Sequence, residues 1–213
     1  MKVITLLAQK GGSGKSTAAI NLAVAAEAGG GRRGRRTAAI VDADPQASAA
    51  AWRFQRAADT PVVIAAGPGE LGTRLAACRS AGAAFAFVDT APHTERTAVE
   101  AARLADLVLI PCRPSLLDIK ALAPTAAIAA ASGRPAAILL NAVAAKAGAV
   151  VEAARLALAG YGLPVAPVSL GQRAAFQNSL VLGLGVVEHE PRGKAAEEVA
   201  ALWRWLDKRL GSG

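Results

Sequence analysis

Eight residues near the start of the chain, Lys10-Gly11-Gly12-Ser13-Gly14-Lys15-Ser16-Thr17, have the types and spacing to hold a polyphosphate. They follow an apolar run, Val3 to Ala8, and open a helical pattern, Ala18 to Ala28. Strand, glycine-rich loop and helix in that order are what a phosphate-binding loop requires. The glycines let backbone N–H groups turn inward around the phosphates. The Lys15 ammonium can reach the β- and γ-phosphates, and the Ser16 hydroxyl can ligate Mg²⁺. The general pattern G-x-x-x-x-G-K-[ST] would place a glycine at Gln9; here a second lysine, Lys10, stands five residues before Lys15. A loop already neutralised by Lys15 and Mg²⁺ has little local use for another cation. Lys10 could instead reach a nucleotide held by a second subunit.

Two acidic segments accompany the loop. Asp42-Ala43-Asp44-Pro45-Gln46 follows a strand-like run from Thr37 to Val41, and Asp89-Thr90-Ala91-Pro92 follows Phe85 to Val88. A carboxylate at a strand end beside a phosphate loop is suited to hold Mg²⁺, often through its waters. The competing role for such an aspartate is a helix N-cap, and Asp44 before Pro45 suits that as well. Asn141 ends the run Ile138-Leu139-Leu140-Asn141; its amide can donate and accept on a base edge, or shape a turn.

Taken together, these motifs resemble the ParA/MinD ATPases, whose deviant Walker A motif is K-G-G-x-G-K-[ST]-T. The resemblance covers nearly the whole chain, which is similar in length to the short, ParF-like partition ATPases that lack an N-terminal DNA-binding extension. It implies that Lys10 to Thr17 and Asn141 hold ATP. Ser16, Asp42 and Asp89 would serve Mg²⁺, with Asp89 as the Walker B acid and Asp42 as the first acid of switch I. Asp44 would position the attacking water. Lys10, Lys15 and Asp44 would carry catalysis, Lys10 acting across an ATP-dependent homodimer. The resemblance further implies a weak ATPase stimulated by DNA and by a ParB-like or cargo adaptor. Nonspecific DNA binding would let it segregate or position a plasmid, a chromosome region or a protein assembly; the cargo is left open. Pro111 to Asp118 resembles a segment near the nucleotide and the dimer interface. Gln172, Arg173 and Phe176 match a segment after the last strand, Arg173 being either interfacial or a surface-helix arginine.

The elements that must position these residues are readable from periodicity. Strands are expected at Lys2–Ala8, Thr37–Val41, Val62–Ala65, Phe85–Val88, Leu107–Pro111, Ala136–Asn141 and Val165–Val168. Helices are expected near Lys15–Ala28, Pro45–Ala58, Glu70–Ala81, Glu95–Leu104, Leu117–Ala131, Val150–Ala159, Gln172–Leu180 and Lys194–Leu210. Near-continuous apolar strands with helical crossovers give an α/β fold: a doubly wound, mostly parallel sheet with helices on both faces and ligands at the carboxyl strand ends. One domain over residues 1–210 with a frayed tail, Gly211 to Gly213, is expected.

The chain has 213 residues, 53% of them hydrophobic, and a formal charge of +8, which favours polyanionic partners. Arg32, Arg33, Arg35 and Arg36 supply half of that excess, either as a solvated loop or as part of a basic face. Arg192, Lys194, Arg204, Lys208 and Arg209 are the other DNA-binding candidates, and no helix-turn-helix or zinc pattern points to sequence-specific reading. A cytoplasmic, nucleoid-associated protein is expected, with no signal peptide or membrane span.

The alternative is a MinD-like membrane ATPase. The last helix carries an apolar stripe, Val199, Leu202, Trp203, Leu206 and Leu210, that could lie on anionic lipid or pack in the core; packing is favoured. A dethiobiotin-synthetase-like ligase fits the Asp42–Gln46 segment poorly. An iron–sulfur reductase would need Cys78 and Cys112, whose spacing is not of metal type. His93 and His189 read as polar surface or loop residues.

Overall fold

The computed structural model describes residues 1–29, 37–92 and 94–211. Six strands form one parallel sheet: β1 (Lys2–Leu6), β2 (Ala38–Ala43), β3 (Val62–Ala65), β4 (Phe85–Thr90), β5 (Leu107–Cys112) and β6 (Ala136–Leu140), in the spatial order β3-β2-β4-β1-β5-β6. Alternating strand residues face opposite layers, because successive side chains leave a strand on opposite sides. Ile4, Leu6, Ile40, Phe85, Phe87 and Leu109 pack with α1 (Lys15–Ala28), α2 (Ser48–Gln55), α8 (Ala174–Val181), α9 (Val186–His189) and α10 (Lys194–Arg209). Val3, Val41, Val88, Ile110 and Leu140 face α3 (Leu71–Ser80), α4 (Glu95–Leu104), α5 (Leu116–Lys120), α6 (Ala123–Ala131) and α7 (Gly148–Ala159). This is the expected doubly wound arrangement, with burial on both sides explaining the near-continuous apolar strands.

Three expected elements form differently. The strand expected at Val165–Val168 reduces to one bridge, Ile138 to Val165. Pro164 and Pro167 lack the N–H groups a ladder needs, so only Ala166 and Leu170 donate to β6, at 2.8 and 2.9 Å. The helix expected over Leu117–Ala131 is split into α5 and α6, with Pro124 in the first turn of α6. The helix expected at Pro45–Ala58 is only Ser48–Gln55, preceded by Ala47 in the left-handed region (φ 52°).

The stripe on α10 is core. Val199, Leu202 and Leu206 are fully buried, and Trp203 meets Phe85 edge-to-face at 4.8 Å between ring centres. Its apolar face is spent against the sheet and is not offered to lipid. Trp203→Ala is therefore expected to cost about 3–5 kcal/mol in urea unfolding; a helix lying free of the body would show almost no change. No helix among the described residues is long and apolar enough to cross a membrane. Cys78 and Cys112 are buried in different parts of the core, so neither thiol stands at a surface where it could bridge two subunits. The Arg32–Arg36 cluster, His93 and the last two residues of the expected tail lie outside the described residues.

Candidate nucleotide-binding site

The loop between β1 and α1 turns through Gly12 (φ 72°) and Gly14 (φ 97°), both in the left-handed region that glycine tolerates. A Cβ at Gly14 would also collide with the Asn141 carboxamide. That carboxamide donates from Nδ2 to the Ser13 carbonyl at 2.7 Å, tying the loop to the end of β6. Asn141 thus holds the loop main chain as well as lining the cleft.

Lys15 begins α1 and is 6% exposed. Burial lowers its pKa, opposed by the Asp89 and then the Asp44 carboxylates. Asp89 stands at the end of β4, directly across from Asp42 in the β2–β4 register. Both follow residues that face the opposite layer, Val41 and Val88, so the alternation of strand side chains turns the two carboxylates to the α1 side, toward the loop. Asp89 is fully buried, and neither of its oxygens has a hydrogen-bond partner of good geometry among the described residues. Burial pushes its pKa up to about 7; the neighbouring Ser16 hydroxyl and Lys15 oppose the rise, while Asp42 and Asp44 add to it.

An orphaned buried carboxylate next to a hydroxyl fits Mg²⁺, which takes one or two protein oxygens and completes its shell with water and phosphate. No group of three or more His, Cys, Asp or Glu gathers as a metal cage among the described residues.

Asp42 also holds the start of α2. Its Oδ1 accepts from the Asp44 amide (3.1 Å), and its Oδ2 from the Ala49 and Ala50 amides (3.1 and 3.2 Å), so it caps the first turn of α2 from outside the helix. Burial nevertheless raises its pKa against those three bonds. Asp44 is not the N-cap; its Oδ1 accepts from the Gln46 amide at 2.9 Å in an Asx turn, and its side chain faces the cleft.

Lys10 reaches sideways to Asp118 at the start of α5, with Nζ 2.7 Å from Oδ1. Ser115 caps that turn, its hydroxyl accepting from the Asp118 amide at 3.2 Å. Sequence reasoning assigned Asp118 no chemistry, yet Ser115-Leu-Leu-Asp118 is an S-x-x-D capping pattern and could have flagged it. The glycine loop, Lys15, Ser16, Thr17, Asp44, Asn141 and Arg173 line one cleft of 1010 Å³ at the carboxyl end of the sheet. Lys10 belongs to the same loop, and the buried Asp89 carboxylate is close enough to Lys15 to act on its charge.

A parallel sheet with a glycine loop after its first strand, a buried lysine and a partnerless aspartate at a neighbouring strand end defines a P-loop nucleotide-binding ATPase. Residues 4–183 match the CobQ/CobB/MinD/ParA nucleotide binding domain, and the chain belongs to this family of ParA/MinD-type ATPases. It is 32% identical over 214 residues to "Maintenance of carboxysome distribution protein A" of Gloeobacter kilaueensis, covering 98% of this chain and 94% of that one. The protein of the same description from Halothiobacillus neapolitanus is 28% identical over 197 residues, covering 89% and 88%. The fold is that of the septum site-determining protein MinD, complexed with Mg-ADP, from Pyrococcus horikoshii: TM-score 0.80 at 17% identity, covering 99% and 98%.

Proposed function

We propose that this protein is an ATP-driven positioning ATPase that pairs with a second copy across two ATP molecules, binds DNA without sequence specificity, and distributes a cargo through an adaptor that stimulates hydrolysis. The observation that carries the catalytic part is the partnerless Asp89 beside Ser16 and Lys15. Mg²⁺, when bound, neutralises charge on the β- and γ-phosphates. Ser16 and Asp89 would hold it, while the loop amides and Lys15 bind the phosphate oxygens. Asp42 fixes the start of α2, so that Asp44 is presented to the γ-phosphate end, where it orients the attacking water. Lys10 would leave Asp118 to meet the partner's nucleotide. The names of the two carboxysome-distribution relatives favour a protein assembly over a plasmid as cargo.

DNA binding in this reading uses phosphate contacts from exposed basic residues. Arg192, Lys194, Arg204, Lys208 and Arg209 are all exposed, and Arg209 lies over the Trp205 ring at 4.8 Å. The burial of the α10 stripe favours DNA over lipid as the surface bound. The test is cosedimentation with Mg²⁺ and ATP, against nonspecific duplex DNA and against anionic liposomes, with ADP as control. ATP-dependent binding to DNA is expected, weakening with salt by about 0.9 in the log–log slope per phosphate neutralised. Binding to liposomes alone would replace this reading with a membrane-associated one.

A further inference from the structure

We propose that Arg173, held flat by Glu198, is the platform on which the nucleoside base lies, and that it sets a preference for a purine. The inference rests on the reading that the cleft holds a nucleoside triphosphate, and it names what recognises the other end of that ligand. Ser16, Asp44 and Asp89 mark the metal and γ-phosphate end, on the β2–β4 side of the loop. Asn141 closes over Gly14 from the opposite side, at the end of β6. A triphosphate laid with its γ-phosphate toward Asp44 therefore carries its nucleoside toward β6.

The chain beyond β6 continues that track. The Val143 amide donates to the Leu170 carbonyl at 3.0 Å and the Gln172 amide to the Val143 carbonyl at 2.8 Å. These bonds lay residues 170–172 alongside 141–143 and bring Arg173 to the cleft wall next to Asn141 and Ala142. Arg173 Nε and Nη2 both donate to the Glu198 carboxylate on α10, and the same carboxylate accepts from the Gly171 amide at 2.9 Å. Two parallel bonds from one edge fix the plane of a guanidinium, and Gly171 backs it so closely that a Cβ there would meet Nε, Cζ and Nη2 at 2.9–3.0 Å. Nη1 makes no hydrogen bond among the described residues, and the side chain is one-third exposed. A guanidinium fixed in plane at a cleft wall and backed on one side by glycine can stack its other face on a base, with cation–π attraction added. A purine presents the larger face to it.

The competing role is mechanical: Arg173 precedes α8 and Glu198 belongs to α10, so their pair could simply dock one helix on the other. Affinities for ATP, CTP and inorganic tripolyphosphate, measured on the full chain with thermal melting alongside, separate the two roles. Arg173→Ala is expected to weaken ATP about tenfold or more, to leave tripolyphosphate within about twofold, and to shrink the ATP-over-CTP ratio. Arg173→Lys keeps the charge but not the plane, and should lose base discrimination while preserving the fold. Glu198→Gln should shift the same ratio part of the way, as expected of a positioning residue. An unchanged ATP-over-CTP ratio in Arg173→Lys would overturn the proposal, as would a parallel loss of ATP and tripolyphosphate. If the native protein prefers ATP no more than tripolyphosphate, the nucleotide reading of the cleft falls as well.

Discussion

Asp89→Asn is expected to make the ligand-free protein more stable at pH 8 and to abolish Mg²⁺-dependent turnover. The two effects share one cause. Folding takes the Asp89 carboxyl from a pKa of 3.8 to about 7 because it is buried without a partner. The native state therefore binds a proton more tightly than the unfolded chain. The stability this gives is complete below pH 4 and is lost as pH rises through 7. By pH 8 the ionised carboxylate costs on the order of 4 kcal/mol. The neutral amide avoids that cost but gives the cation no charge to bind. Urea unfolding in EDTA should show the variant's advantage growing from pH 5 to pH 8, while turnover with Mg²⁺ and ATP falls by about 10²–10³ or more. A variant no more stable than the native protein at pH 8 would mean that Asp89 is satisfied in the free protein.

Lys10→Ala is expected to leave the fold intact and to remove ATP-dependent dimerisation, with turnover falling by about 10²–10³. Folding depends little on this residue, since Lys10 is 43% exposed and, among the described residues, its ion pair is with Asp118. The contrast is Asp118→Asn, which removes that partner but keeps the lysine, and should still dimerise. Light scattering with ATP and with ADP reads both. Normal ATP-dependent dimers in Lys10→Ala would show that the second lysine serves its own loop.

The sequence announced elements wherever pattern and local chemistry agreed. Lys15–Ala28, Val62–Ala65 and Glu95–Leu104 form with the expected limits. The phosphate loop was readable because its chemistry is local: eight consecutive residues carry it. Departures came where one residue overrode a pattern, as Pro167 did at the sheet edge and Pro124 in the first turn of α6. The four-residue α9 is too short to show any period. Contacts made by folding itself gave no signal. Asn141 meets Ser13 across 128 positions, and Arg173 meets Glu198 on another helix. Asp42 could be read as acidic and near the site, but only the fold shows its oxygens taken by the amides of α2.

The two prolines beside β6 also bear on solubility. A protein proposed to meet its own copies repeatedly, at high local concentration, is exposed to strand-to-strand aggregation wherever a sheet ends openly. At β6 the segment from Pro164 to Leu170 already occupies Ile138 and Leu140, and its prolines cannot pass the ladder on to another molecule. At the other edge β3 has only four residues, too few for a long flat template. Both sides of the sheet are thereby poor templates for pairing with another copy, which is compatible with the proposed pairing through the cleft face.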